Sequence, residues 1–508
     1  MTDTDVIITG AGPTGLMLAA ELRLAGVRTL VLERQLQPGG IPKANGFSGQ
    51  ILEVLRHRGL LERFEAAATG PSHPAPAIPF GGVQLDLSGH PDHPLEVLGL
   101  AQPRLERVLD AWAGELGARI ERGHTVTAVH QDEESVTASV DGPHGRYRAT
   151  ARYLVGCDGT RSTVREAAGI AFVGVTYPEV NRLAEAGVHE SVTVLDSGDL
   201  DVPGVGRVRA GFTRTERGVF ALGRLRSGAL LVQTTEESAD DVDQAPMTTA
   251  ELQDSIRRLL GHDLPLGEVS RLSRYTMQAR QADRYRAGRI FLAGDAAHQF
   301  PATGIGINMG MLDAVNLAWK LAGAVHGWAP AALLDTYHAE RHHAGARAML
   351  QTQAQVALRR GQDAAAEALR ELFSELLRDR QPQHRMAALV GGADLRYPMP
   401  DGGRSPVVGT FAPSTLHPAG SSTGAASLLE RARPVLLDLA DRADLRAVAE
   451  GWRDRLDVRT APRADRPADV LLIRPDAHIA WAASADEPVD RAASTLRLAL
   501  GRWFGDER

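Results

Sequence analysis

The chain has 508 residues, 43% hydrophobic and 23% charged, a globular composition in a length that calls for two or three domains. Its net charge of -7 excludes the basic face that nucleic acid or an anionic membrane requires, and no run reaches the ~18 apolar residues of a bilayer span. One cysteine, Cys157, excludes an internal disulfide, a redox dithiol and a cysteine-rich metal centre, so any redox chemistry falls to a bound organic cofactor.

The N-terminus enters a strand directly, so no signal peptide and a cytoplasmic location are expected. "DVIITG" (5–10) reads as a strand, "GAGPTG" (10–15) as a tight turn, "LMLAAELRLAG" (16–26) as a helix and "RTLVLER" (28–34) as a second strand. That is a βαβ unit, which implies a parallel sheet. Helices are expected over 51–65 and 103–117, an antiparallel ribbon over 118–142, and a buried strand over 152–159. From 172 to 277 alternating strands read as an inserted sheet, and the chain then returns to the first domain. Residues 313–380 read as helical, and after "RYPMPDGG" (396–403) a small α/β segment ends in a terminal helix.

Gly10, Gly12 and Gly15 form G-x-G-x-x-G between strand and helix. The first allows the turn, the second lets backbone approach a pyrophosphate, and the third lets helix and strand pack. With Pro13 and Thr14 they open a helix whose N–H groups favour an anion. Glu33 ends the second strand where it can accept from ribose hydroxyls, with Arg34 beside it. This motif does not separate NAD from FAD. Two further sites do: Asp158-Gly159, followed by Arg161, Ser162 and Arg165 at a helix start, and Asp295 at the end of another strand. A carboxylate there can bind the ribityl chain that FAD has and NAD lacks.

With these three motifs the chain resembles the single-component FAD-dependent aromatic hydroxylases, the p-hydroxybenzoate hydroxylase family, over about residues 4 to 380. Its C-terminal segment resembles the redox-silent thioredoxin-like extension of the polyketide hydroxylase and rifampicin monooxygenase type. The resemblance implies an α/β fold: a Rossmann-like (GR2-type) FAD-binding domain over 1–171 and 278–395, an antiparallel-sheet substrate domain over 172–277, and a thioredoxin-like domain over 396–508. It implies that Gln102 faces the flavin. Asp295 would bind the ribityl chain, and the loop from Pro301 through Gly304, Gly306 and Ile307 to Asn308 would lie along the ring. A helix beginning near Asn308 would point its positive end at flavin N1 and O2. Lys43 and His298 are the candidates for a catalytic group; His298 reads more readily as structural.

The implied reaction is hydroxylation of a polycyclic aromatic substrate. NAD(P)H reduces FAD, O2 adds at flavin C4a, and the hydroperoxide transfers one oxygen. Baeyer–Villiger insertion, epoxidation, a dehydrogenase or reductase, and a non-catalytic FAD or drug binder stay open. No metal is expected, although His338 and His342 share an i, i+4 spacing. The protein is read as a monomer or homodimer taking a small aromatic substrate and O2, with no nucleic-acid or membrane partner. Two departures from the family stand out. Lys43 and Gln50 stand where arginines are common, and lysine cannot make a bidentate or stacked contact. "PATGIGIN" is one residue shorter than the usual P-P-x-G-G-x-G-x-N and carries Ile305 in its glycine run, a side chain expected to point away from the ring. Lys43 and Lys320 are the only lysines, a bias that a GC-rich genome explains.

Overall fold

The computed structural model describes residues 3–40, 43–90, 95–225, 228–237, 245–301, 304–361, 363–400, 405–416, 428–484 and 487–507. β1 (Thr4–Thr9), α1 (Pro13–Leu24) and β2 (Thr29–Glu33) are the expected unit, with β1 and β2 parallel and Val6 opposite Thr29. β1 is almost wholly buried around its apolar run Val6–Ile8, as a strand covered on both faces must be. The run expected to be helical over 51–65 breaks in two: α2 (Gln50–His57) ends and a separate helix starts at Leu61. α3 (Gln102–Glu115) follows.

β3 (Arg119–Arg122) pairs in parallel with β2, so it is an edge strand of the main sheet and not part of the expected ribbon. The ribbon is β4 (Thr125–Gln131), β5 (Val136–Gly142) and β6 (Gly145–Gly156). β6 pairs antiparallel with β5 from Gly145 to Ala151 and parallel with β1 from Ala151 to Gly156. It thereby delivers Asp158 beside the glycine turn, just before α4 (Thr163–Ala167).

A second, six-stranded sheet is built on β7 (Phe172–Val188), β8 (Gly218–Arg224) and β9 (Leu230–Glu237). α5 (Thr249–Leu260) covers one face through Leu252, Ile256 and Leu259. β10 (Leu266–Ala282) pairs with β7 and runs through position 277, so the sheet continues to Ala282 before the chain re-enters the first sheet as β11 (Ile290–Leu292), parallel to β6. The edge strand of the second sheet is β12 (His298–Gln299), with Gln299 opposite Arg280. This pairing ties the inserted sheet to the loop after Asp295.

α6 (Gly306–His326) lies against α1, and α7 (Asp335–Arg360) lies between α6 and the second sheet. Among the described residues no helix is long and apolar enough to cross a membrane. The last unit has a four-stranded sheet of β13 (Val435–Asp438), β14 (Asp457–Thr460), β15 (Val470–Ile473) and β16 (Ile479–Ala483), closed by α8 (Val489–Phe504). β13 is parallel to β14 and antiparallel to β15. One of its two cores is shared: Trp319 of α6 and Leu333 pack with Trp452, Trp481 and Trp503, whereas Leu437, Leu471 and Ile473 pack with the unit's own Ala412 and Leu429.

Beside that shared core lies a buried charge network. Arg474 donates to both Glu340 oxygens at 2.6 and 2.7 Å and to Asp476 Oδ1 at 3.0 Å. Lys320 Nζ donates to Glu340 at 2.7 Å, and Asn316 Nδ2 bridges Glu340 and Asp476. Burial alone would raise the Glu340 carboxyl, but Arg474 and Lys320 outweigh it and hold it down to about 2. Burial draws Lys320 down to about 8 against the pull of Glu340.

Candidate functional site

The glycine turn is shaped by two close approaches and one gap. Gly10 has φ +97°, and a Cβ on it would meet the Cys157 carbonyl oxygen at 2.4 Å. A Cβ on Gly15 would lie 2.0 Å from the Gly10 carbonyl oxygen, so this glycine acts by packing and does not itself line the cleft. A Cβ on Gly12 meets nothing within 4 Å. The space above Gly12 adjoins the first turn of α1, which has no side-chain cap, so its N–H groups face that space. Glu33 accepts from Ala11 N at 2.7 Å and Gln35 N at 2.8 Å, which locks the end of β2 to the turn.

This space is part of a cleft of about 670 Å³. Pro13, Thr14, Glu33 and Arg34 line it near the turn; Lys43, Gln102, Glu106, Asp158, Asp295 and Gln299 line the rest, with Gly304, Gly306 and Ile307 at the far end. Asp158 Oδ2 accepts from Val164 N at 3.1 Å, while its buried Oδ1 has no partner among the described residues; nor has Gln299 Oε1. Buried polar oxygens without donors are rare, and both lie where a ligand hydroxyl or N–H can reach them. Desolvation raises the carboxyls of Glu106, Asp158 and Asp295. Asp295 is exposed at the cleft yet deep among protein atoms.

Sequence reasoning missed Glu106 and Gln299. Gln102 Nε2 donates to Glu106 at 2.8 Å, one helical turn on, so the i, i+4 spacing along α3 carried a signal. Gln299 carried none, because only the β12–β10 pairing turns it to the cleft.

The loop after Pro301 departs from expectation in two ways. α6 starts at Gly306, two residues before Asn308. Pro301 is buried off the cleft, and Asn308 does not line it either. Asn308 acts instead as a staple: Oδ1 accepts from Ser48 N at 3.0 Å, and Nδ2 donates to the Gly304 carbonyl at 3.1 Å. Ala302 and Thr303 lie outside the described residues. Ile305 turns from the cleft toward Met309, Ala344 and Tyr397, whereas Gly306 borders the cleft with room for a Cβ 3.6 Å from Asp295 Oδ1. Gly306→Val is therefore expected to lower cofactor content and Ile305→Gly to leave it in place. Flavin content of the two variants side by side checks this, and the reverse order would show that the loop is threaded otherwise.

His298 is not placed for catalysis. Its ring is fully buried off the cleft, stacked on Phe300, with Nε2 2.7 Å from Asp313 Oδ2. Asp313 also accepts from Gly294 N at 3.0 Å and Arg341 Nε at 2.7 Å. Burial opposes ionisation of Asp313, but His298 and Arg341 outweigh it and its carboxyl lies below the usual range. The role of this cluster is to fix Gly294 and hence to aim Asp295. Gln50 likewise turns from the cleft and donates to the Gly392 carbonyl at 2.8 Å. Lys43 keeps its place at the cleft, and its charge stabilises the carboxylates of Glu106 and Asp295. Among the described residues no cluster of three metal-ligating side chains is found; His338 accepts from Tyr285 N and packs against His342.

The family described as "FAD binding domain" matches residues 3–352, and "Aromatic-ring hydroxylase, C-terminal" matches residues 405–506. A 12-dehydrotetracycline 5-monooxygenase/anhydrotetracycline 6-monooxygenase of Streptomyces rimosus is 40% identical, covering 99% of each chain. A rifampicin monooxygenase of Rhodococcus hoagii is 35% identical over 99% of this chain and 98% of its own. Among solved structures, an aromatic hydroxylase from angucycline biosynthesis superposes with a TM-score of 0.87 at 38% identity over 100% of both chains.

Proposed function

This chain belongs to the FAD-dependent aromatic-ring hydroxylases and is a monooxygenase with NAD(P)H as electron donor, and from that premise we propose that it hydroxylates a polycyclic aromatic substrate of the polyketide or antibiotic kind. Substrate, O2, NAD(P)H and a proton give hydroxylated product, water and NAD(P)+. Bound in this cleft, FAD would supply the hydride acceptance from NAD(P)H and the O2 activation that the reaction needs. The cleft fits it: a gap over Gly12 for the pyrophosphate, Glu33 for ribose, and Asp158, Asp295 and Gln299 with free acceptor capacity for hydroxyls and N–H groups.

The protein's own residues position and polarise. Asp295 is held by Gly294, whose N–H is fixed by Asp313. The uncapped start of α6, at Gly306 and Ile307, turns N–H groups and the positive end of the helix dipole toward the far end of the cleft, where a developing negative charge is stabilised. Lys43 adds a positive charge there without a bidentate grip. We place the reaction in the cytoplasm, where NAD(P)H is regenerated, in a monomer or homodimer.

The observation that carries the substrate class is full-length likeness to monooxygenases named for anhydrotetracycline and rifampicin. Purified yellow protein given NADPH, ¹⁸O2 and a panel of polycyclic phenols is expected to oxidise NADPH faster with the right member and to place one ¹⁸O atom in it. NADPH oxidation at one rate with every member, yielding only hydrogen peroxide, would remove the reading.

A further inference from the structure

An open groove of about 450 Å³ lies beside the start of α3, against the helix Leu61–Ala67. Ala66, Val108 and Ala111 give it a small-residue, apolar surface, and Arg63, Arg104 and Arg107 line it with them. Among the described residues no carboxylate lines it. The Arg63 charge is already met, by Glu115 at 2.6 and 2.7 Å. Arg104 and Arg107 are exposed and, among the described residues, make no ion pair. The acids near them along α3 are engaged elsewhere: Asp110 with Arg122 at 2.8 Å, and Glu106 with Gln102 on the cleft side.

This placement runs against helix electrostatics. The first turn of α3 holds no acid, and Arg104 stands in it at the end of the helix that disfavours cations. Arg107 follows one turn on, so two like charges are neighbours at i, i+3. Neither packing nor pairing offsets these costs. Two unpaired guanidinium groups over an apolar groove are complementary to a phosphorylated ligand that carries a planar ring. The net charge of -7 makes the molecule as a whole repel an anion, so an anionic co-substrate needs a local cationic site to dock.

We propose that this groove docks the adenosine half of NAD(P)H, with Arg104 and Arg107 on its phosphate groups, so that the nicotinamide reaches the cleft over the start of α3. The donor is the phosphorylated co-substrate of the reaction, and it needs a site of its own: the sequence has one G-x-G-x-x-G turn, which the FAD reading takes. The two sites are neighbours. Gln102 and Pro103 line the cleft, and Arg104, the next residue, lines the groove. Gln102 N donates to the Ala44 carbonyl at 2.9 Å, which ties the start of α3 to the loop of Lys43, exposed at the cleft. The donor therefore crosses a surface edge and needs no tunnel. From Arg104 to Ala111 the helix rises about 10 Å, room for an adenosine and its phosphates. This rests on FAD occupying the cleft.

The test is anaerobic reduction of the FAD-loaded enzyme, followed as loss of its yellow colour against NADPH concentration at low ionic strength. Arg104→Gln/Arg107→Gln is expected to raise the NADPH concentration for half-maximal rate by at least ~10-fold while the limiting rate stays within about 2-fold. FAD content and reduction by dithionite are expected to match the wild type, and added salt to narrow the difference. Arg497→Gln makes the same change of charge at an exposed residue of α8 and is expected to leave NADPH dependence as it was. A double variant that NADPH reduces like wild type, or an equal effect of Arg497→Gln, overturns this inference and leaves the FAD and substrate readings standing. Equilibrium dialysis of NADP+ on the same proteins reads the groove directly. Wild-type binding that the double variant loses supports the groove even if the cleft takes up no FAD, in which case the cofactor reading falls alone. Binding that ignores both arginines overturns the groove.

Discussion

Gly12→Val is expected to give a folded, colourless protein whose FAD affinity is lower by at least ~100-fold. The backbone at Gly12, φ -76° and ψ -178°, is extended and open to any L-residue. A Cβ there meets no protein atom within 4 Å, so the apoprotein has no reason to rearrange. The added methyls fill the gap above the first turn of α1, where the proposed binding mode has the pyrophosphate accept N–H bonds. Losing even two bonds to a charged group costs about 3–6 kcal/mol, beyond the ~2.7 kcal/mol that corresponds to 100-fold. Gly15→Ala is the contrast: its Cβ would press within 2.0 Å of a backbone oxygen, so the fold itself should suffer. FAD content with apoprotein thermal unfolding separates the two, and a fully yellow Gly12→Val would mean that the phosphates bind elsewhere.

Arg474→Met is expected to destabilise the junction of α6, α7 and the C-terminal unit by about 3–5 kcal/mol, the cost of leaving a buried charge uncompensated. Glu340 and Asp476 would then face each other across Asn316, with Lys320 on Glu340 as the cation that remains bonded to the pair. Methionine keeps most of the volume over Trp503, so packing loss is the smaller part. Trp319, Trp452, Trp481 and Trp503 share that core, and tryptophan emission during urea unfolding reads it directly. Arg474→Met/Glu340→Gln should recover part of the loss. The pH dependence follows from Glu340, whose folded pKa of about 2 lies below its ordinary 4.5. Its contribution is present above pH 4.5 and is lost as pH falls from 4.5 through 2. A single variant within about 1 kcal/mol of wild type would show that the network is energetically idle. Because α6 also carries the rim of the cleft, cofactor content should fall with stability. The sequence alone suggests instead that loss of the C-terminal segment harms solubility more than flavin chemistry.

Much of the candidate cleft was legible because it is local. Gly10 needs φ +97° and Gly15 needs no side chain; the residue type announces both. Glu33 closes β2, and Asp158 and Asp295 directly follow β6 and β11, places found by hydrophobic period alone. The full three-motif pattern then named the family, and full-length relatives bear that out. What failed locally had local causes too. The helix expected over 51–65 was two, and α6 began before Asn308, since element ends depend on caps and neighbours more than on period.

By itself, then, the sequence determined the βαβ start, the glycine turn, the three acidic positions and the globular, single-cysteine character of the chain. Backbone sterics and side-chain period act within a few residues, and a linear reading sees them. Only the tertiary structure decided that His298 is a buried partner of Asp313, that Ile305 faces away from the cleft and that Gln299 faces it. The same holds for the C-terminal unit, which shares one of its two cores with α6. Each of these rests on partners tens to hundreds of residues apart. Period says which face of an element is buried, but not what will be buried against it.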